Sequence, residues 1–303
     1  MVLAGFLGLA QAQNNSTSLE HIKSVTAVSK VLGDGRKVST VILEYDTPIS
    51  NKSLSAGSYA VVGKEVTDVY ANNVPEKTEK GTDGKYVVIE VKAEVDLYAQ
   101  PKQPTNADLE KKKERDLMQG GPGLRAGWST GGDDEYPGNA VVVQIKDIKT
   151  AGGKTYKASD TQINSTEEKC LVADDFRQEE FVSPYTGQVL PYNIYLPEDY
   201  DPAKKYPLVL FIHDAGVASS QVKQPLYQGN GATSWAEPEA QARHRCIVVA
   251  PEYPYITVDD NWNYSHHLDA TIALLKDLQT RYSVDSSRIY TTGQSMGCMS
   301  SIV

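Results

Sequence analysis

From about residue 22 to residue 163 apolar and polar residues alternate in short runs separated by turn residues. Successive side chains of an extended chain point to opposite faces, so a two-residue period marks strands with one buried and one wetted face. The clearest predicted strands are VSTVILEY at 38–45, YAVV at 59–62, YVVIEV at 86–91 and AVVVQI at 140–145. Gly33-Asp34-Gly35, Thr82-Asp83-Gly84 and Ala151-Gly152-Gly153 supply hairpin chemistry between them. No amphipathic helix of useful length interrupts these runs, and the pattern predicts an all-β antiparallel sandwich over 22–165.

One segment breaks the rhythm. Residues 100–139 open on a proline, carry the charged patch EKKKER at 110–115 and run into a glycine-rich stretch, which predicts an insertion between two strands. The sequence GGKT at 152–155 is read as a hairpin, because a phosphate-binding loop needs a glycine where Ile148 stands.

After Cys170 the pattern changes. LVLFI at 208–212 and IVVA at 247–250 are continuously apolar, as strands covered on both faces are, and YNIYL at 192–196 is expected as an outer strand. Leu268, Ile272, Leu275, Leu278 and Tyr282 recur every three to four residues and predict a helix over 265–282 with one apolar stripe. RIYTT at 288–292 returns as the next parallel strand, so 175–303 is expected as a second domain of strands alternating with helices.

Composition sharpens this picture in a few places. The chain has 303 residues, 40% of them apolar, enough for two packed cores. The net charge of −9 comes with both signs mixed along the chain, which argues against a surface that tracks phosphates and hence against nucleic acid as a partner. The opening MVLAGFLGLAQAQNNS has a short apolar run followed by Ala10-Gln11-Ala12, so residues 1–12 are read as the remnant of a secretory signal and the protein as secreted or periplasmic. That run is too short to span a bilayer. Cys170, Cys246 and Cys298 lack metal-finger spacing and are expected as buried thiols with at most one disulfide; no metal or cofactor is called for.

The chemistry lies near the end of the chain. In YTTGQSMG, residues 290–297, a predicted strand runs into G-x-S-x-G, and MSSIV after it opens a helix. A serine hydroxyl is a weak nucleophile and must be exposed where a base can reach it and backbone donors can hold the developing oxyanion. A sharp strand-to-helix turn does this at Ser295, with Gly293 and Gly297 leaving room where side chains would collide. Upstream, FIHDAG at 211–216 ends a buried strand. The expected oxyanion donors are the backbone N–H of Met296 and one from the Asp214-Ala215 turn, while His213 is expected to tie the loop. Tyr253, Tyr255 and Trp262 fall in loops on the substrate side, with loop packing as an equal reading, and His21, His244, His266 and His267 are read as surface or capping residues.

On YNIYLPEDYDPAKKYPLVLFIHDAG, CIVVAPEY and VDSSRIYTTGQSMG, residues 185–303 resemble the α/β-hydrolase superfamily, specifically secreted esterases related to polyhydroxybutyrate depolymerases and to the prolyl-oligopeptidase catalytic domain. LEHIKSVTAVSKVLGDGRKVSTVILEYDTPISNKSLSAGSYAV is similar to the immunoglobulin-like domain that precedes some of these esterases. The resemblance implies an immunoglobulin-like sandwich followed by a mostly parallel sheet with flanking helices, and a serine hydrolase acting through an acyl-enzyme on acylated small molecules or polymers. In that superfamily the order is Ser, then Asp or Glu, then His. Only six residues follow Gly297, so the acid and base are expected beyond Val303, in a longer protein of which this chain is the inactive N-terminal part. Asp214 stands where the family usually has glycine. A serine peptidase of prolyl-oligopeptidase type and a non-catalytic binding or adhesion protein with a degenerate hydrolase domain remain as alternatives.

Overall fold

The computed structural model describes residues 18–95 and 136–303; the expected signal remnant at 1–12 and nearly all of the expected insertion at 100–139 lie outside the described residues. The chain forms two compact units. The first comprises the described parts of Met1–Val28, Val38–Lys92 and Asn139–Glu168; the second those of Ser29–Lys37, Ala93–Gly138 and Lys169–Val303.

Ten strands come first: β1 (Ile22–Leu32), β2 (Gly35–Ile49), β3 (Tyr59–Val61), β4 (Val66–Asn72), β5 (Gly84–Val91), β6 (Val141–Gln144), β7 (Ile148–Lys149), β8 (Thr155–Tyr156), β9 (Ile163–Asn164) and β10 (Glu167–Cys170). They make a five-stranded sheet in the order β10-β1-β2-β5-β4, a three-stranded sheet β3-β6-β9 and the hairpin β7-β8. The two-residue period of the sequence is visible in the packing. Val41, Leu43 and Tyr45 of β2 and Val87, Ile89 and Val91 of β5 enter one core with Tyr59, Val61, Val142, Ile148 and Tyr156 from the other strands. The intervening Ile42 and Val88 join Val28 and Tyr70 in a separate cluster. Burying each such side chain stabilises by about 1.5–3 kcal/mol. The polar ends of Tyr45 and Tyr59 satisfy each other through a 2.8 Å hydrogen bond inside that core, and burial raises both phenols above their ordinary range.

The second unit holds β11 (Arg177–Val182), β12 (Val189–Tyr195), β13 (Tyr206–Ile212), β14 (Ile247–Pro251) and β15 (Val284–Gly293) in one sheet of order β11-β12-β14-β13-β15. Three short helices, α1 (Gln224–Tyr227), α2 (Thr233–Ala236) and α3 (Pro238–Arg243), lie between β13 and β14; α4 (His266–Arg281) precedes β15 and α5 (Met296–Ser300) follows it. Parallel pairing is confined to β14-β13-β15, with Val209 opposite Val248 and Leu210 opposite Thr291. β11-β12 and β12-β14 are antiparallel, so the sheet is mixed where a mostly parallel one was expected. The short connection from β11 to β12 allows only a hairpin, and antiparallel pairing follows.

Three further expectations change. YNIYL is an interior strand, because β11 pairs outside it. RQEEFV at 177–182 is too polar to announce a strand, which is the composition an exposed edge requires. Helix α4 buries His267, Ala270, Thr271, Ala273, Leu274 and Leu278, a stripe rotated from the predicted one, and leaves Ile272 53% exposed. Two alanines on the buried face let the helix approach the sheet closely. Of the predicted stripe, Leu278 and the partly buried Leu275 and Tyr282 do pack on the sheet core, whereas Leu268 and Ile272 line a groove of about 360 Å³ beside Ile289 and Tyr290 of the edge strand β15. Finally, the cysteines are all free, and Cys298 is exposed where a buried thiol was expected. Among the described residues no helix is long and apolar enough to cross a membrane.

Candidate active site

Strand β15 is held against β13 up to the pair Ile212–Gly293, and the next amide, Gln294 N–H, still donates to Ile212 O at 3.2 Å. The chain then reverses. Ser295 sits at φ 51°, ψ −114° as the N-cap of α5, with its side chain exposed. A non-glycine residue in that region costs about 1–3 kcal/mol and persists only when its surroundings impose it. They do so here, because Gly297 N–H donates to Gln294 O at 2.8 Å and Met299 N–H to Ser295 O at 3.2 Å. The two glycines are sterically required. A Cβ on Gly293 would lie 2.3 Å from the Gly297 carbonyl carbon, and one on Gly297 would lie 1.9 Å from Ile212 O. Met296 N–H is the first amide of α5 and has no acceptor within the helix.

The loop after β13 comes to the same place. Ala215 packs with Met296 and Ile256 in one buried cluster. Asp214 has an extended backbone; its Oδ1 accepts from Gly216 N–H at 2.6 Å and its Oδ2 from the Gln294 side chain at 3.1 Å. The aspartate in the place of a glycine therefore joins the turn to the residue before Ser295. Its own N–H donates to Gln228 Oε1 at 3.3 Å.

His213 ties the loop, as expected. It is fully buried, its Nδ1 lies 2.7 Å from Asp214 O, and Nε2 accepts from Tyr253 N–H at 3.0 Å. These partners assign the proton to Nδ1, and burial lowers the imidazole to about 4. The other histidines have places elsewhere. His21 bonds Asp46 and stacks on Tyr156, His244 closes α3 through its backbone, and His267 is buried beside Ser265 with His266 stacked on it. Burial, with His266 as a smaller cause, lowers His267 to about 4. Among the described residues none hydrogen-bonds the Ser295 hydroxyl, and no group of His, Cys, Asp and Glu is placed to hold a metal.

The aromatic residues of the loop after β14 divide. Tyr253 is fully buried and its hydroxyl bonds Thr271 at 2.7 Å, so it packs. Tyr255 is 43% and Trp262 51% exposed. Trp262 adopts φ 63°, held by Asp259, whose carboxylate accepts from Asn261 N–H, Asn263 N–H and the Asn263 side chain at 2.9–3.0 Å. This loop is fastened to α5: Thr257 N–H points to Met296 Sδ at 3.3 Å and the Thr257 hydroxyl to Ser300 Oγ at 2.8 Å. Sequence reasoning overlooked Thr257, Asp259 and Glu252. Asp259 had a readable signal, an aspartate followed two and four residues later by asparagine, which is turn chemistry. Glu252, a carboxylate directly after the apolar run IVVAP, had only its position.

Comparison with known proteins agrees with this architecture. Residues 24–157 match the family described as the esterase Ig-like N-terminal domain. A crystal structure of a thermostable esterase superposes with a TM-score of 0.73 at 30% identity, over 92% of this chain and 72% of that one. A feruloyl esterase from Anaeromyces mucronatus in complex with ferulic acid gives a TM-score of 0.30 at 19% identity, over 40% of this chain and 49% of that one. A thermophilic esterase from Thermogutta terrifontis gives 0.30 at 18%, over 41% and 42% respectively. No match was found among curated proteins. The sandwich of the first unit, the family match over it and the thermostable esterase that follows both units together place the chain among the esterases that carry an immunoglobulin-like N-terminal domain.

Proposed function

We propose that the protein is a serine ester hydrolase of the α/β-hydrolase type, with Ser295 as the nucleophile. The observation that carries this reading is the backbone of Ser295, forced to positive φ between a strand and a helix by two glycines that admit no side chain. In this reading Ser295 Oγ attacks the ester carbonyl carbon and the carbonyl oxygen becomes an oxyanion. Met296 N–H and a donor from the 214–215 turn receive that charge, and preorganised donors of this kind are among the larger contributions to catalysis. The serine proton passes to a base, which then protonates the departing alcohol. The five histidines of these 303 residues have other places, and the proposal assigns the base to none of them.

The substrate is an acylated small molecule or polymer, met outside the cytoplasm if residues 1–12 act as a secretory signal. Exposed Tyr255 and Trp262, on the loop fastened to the elbow, offer flat apolar surface to its non-reacting part.

The test compares the gene's full product with Ser295→Ala on a chromogenic acetyl ester. Turnover should fall at least about a thousandfold, leaving only what the oxyanion donors and binding supply. Retention of wild-type turnover by the alanine variant would remove Ser295 from the mechanism.

A further inference from the structure

At the end of β14 a carboxyl group is buried that no step of the proposed reaction uses. Glu252 has no exposed surface, and its backbone N–H donates to Pro191 O at 2.9 Å. Its side chain crosses to the loop that follows β13. Oε1 accepts from Ser219 N–H at 2.7 Å and from the Ser219 hydroxyl at 3.1 Å. Oε2 is equally buried, has no hydrogen-bond partner, and lies 3.7 Å from His213 Nε2.

The protonation of this pair follows from the partners. His213 Nε2 accepts from Tyr253 N–H and so carries no proton. Oε1 of Glu252 receives two donors and serves as the carbonyl-like oxygen, which leaves the carboxyl proton for Oε2. Burial raises the carboxyl to about 9, against the opposing effect of the Ser219 donors. At neutral pH neither group is charged, and their proximity is not an ion pair.

The same few residues bracket the turn assigned to the oxyanion. At its start His213 is fixed to Tyr253 N–H and to Asp214 O. At its end Ser219 is fixed to Glu252 Oε1, with Ser219 N–H also 3.1 Å from Tyr253 O. Between these anchors lie Asp214 and Ala215, and Ala215 touches Met296. Glu252 and Tyr253 are the first two residues after β14, and Glu252 N–H still bonds Pro191 O of β12, so one short segment holds both ends of the loop.

We infer that Glu252 is a positioning residue for the ester hydrolase reaction: it clamps Ser219 to the end of β14 and thereby sets where the 214–215 turn places its oxyanion donor. The inference rests on the reading of Ser295 and the 214–215 turn given above. It gives Glu252 no contact with the substrate. Deprotonation would leave a buried charge with only Ser219 as donor, 3.7 Å from an unprotonated His213 Nε2 that has no hydrogen to offer it. Of the titratable groups facing Glu252, His213 is lowered to about 4 and Tyr253 is raised by its burial, so neither changes charge as the pH rises from 7 to 9.

The experiment uses the gene's full product and the variants Glu252→Gln and Glu252→Ala, with two readouts. In hydrogen exchange followed by mass spectrometry, peptides covering 214–221 should exchange at least about tenfold faster in E252A than in wild type, and close to wild type in E252Q, whose amide oxygen still accepts from Ser219. With a chromogenic acetyl ester, kcat should fall about tenfold to a hundredfold in E252A, with KM within about twofold, as expected for a misplaced oxyanion donor. E252Q should recover kcat to within about threefold. It should also lose an alkaline decline in kcat, near pH 9, that wild type shows. Unchanged exchange over 214–221 in E252A overturns the clamp. Faster exchange with unchanged kcat, or an alkaline decline that persists in E252Q, overturns the positioning role. If E252A does not fold, the Gln variant's pH profile decides alone. Absence of turnover in wild type, or its survival in Ser295→Ala, counts against the hydrolase reading instead, and the exchange measurement still decides the clamp.

Discussion

The two units differ in where they accept unfavourable local structure. In the first, the buried polar residues are neutral ones such as Thr40, Ser58, Asn72 and Gln144, and the positive-φ positions Gly63 and Gly153 are glycines. The second holds every buried carboxylate and imidazole found among the described residues, Glu252, Asp259, His213 and His267, and all three non-glycine residues at positive φ, Val172, Trp262 and Ser295. Two of those three, and three of the four ionisable groups, belong to the elbow or to the loops after β13 and β14; the fourth, His267, lies in the first turn of α4. Strain and buried ionisable groups cost stability and survive where the surrounding structure imposes them, which is why their clustering marks a site. The sandwich obeys the local rules throughout and reads as scaffold.

The sharpest test of this contrast is a pair of glycine substitutions. Gly297→Ala places a Cβ 1.9 Å from Ile212 O and should destabilise by about 3 kcal/mol or more, with loss of ester hydrolysis. Gly153→Ala meets no atom within 4 Å and costs only its φ of 88°, about 1 kcal/mol, with turnover kept. Urea unfolding and the ester assay on both variants check this; equal effects would dissolve the distinction.

A core truncation sharpens it from the other side. Leu43→Ala, at a fully buried site in the sandwich, should destabilise by about 2–4 kcal/mol while kcat per folded molecule holds. A fall in kcat at full folding would give the first unit a part in the chemistry.

The pH dependence of stability should be that of the second unit. Glu252 is raised from 4.5 to about 9, so between those values the unfolded chain has released a proton that the folded one keeps, and stability falls as pH rises. His213 and His267 are lowered from 6.5 to about 4, so between those values the unfolded chain is the more protonated and stability rises with pH. The slopes oppose each other up to about pH 6.5; above it Glu252 sets the slope, joined near pH 9 by the buried thiols Cys170 and Cys246, which burial also raises. Stability should decline from pH 6.5 to 9 by at most about 1.4 kcal/mol per pH unit, and E252Q should flatten that limb. Denaturation midpoints at pH 7, 8 and 9 measure it, and an equally steep decline in E252Q would move the slope to other groups.

The smallest effect is expected at Trp262. Glycine relieves its positive φ, so Trp262→Gly should change stability by about +0.5 to +1 kcal/mol, while KM for a bulky aromatic ester should rise a few-fold. A stability loss together with an unchanged KM would make Trp262 a packing residue like Tyr253.

Much of this protein was legible from local pattern, and the limits of that legibility are physical. The hairpin glycines at 33–35 and 152–153, the strands at 38–45 and 86–91 and the helix over 266–281 appear because alternation and turn chemistry are local properties. Strand β11 was illegible because an edge strand carries polar residues on purpose. The buried face of α4 was misjudged because alanine counts for little in a hydrophobic stripe yet packs closest to a sheet.

The sequence by itself determined two units of different periodicity and the strand-to-helix turn at Ser295 with its flanking glycines, since periodicity and turn chemistry are local properties; that Gly297 admits no side chain was decided by Ile212 O of the neighbouring strand. Only the tertiary structure decided that Asp214 reaches Gln294, that Thr257 fastens an aromatic loop to α5, and that Glu252 meets Ser219 across 33 positions of chain. It also decided which of three loop aromatics faces solvent. Burial is a property of the assembled neighbours, and the protonation of Glu252 and His213 depends on burial more than on anything written beside them in the chain.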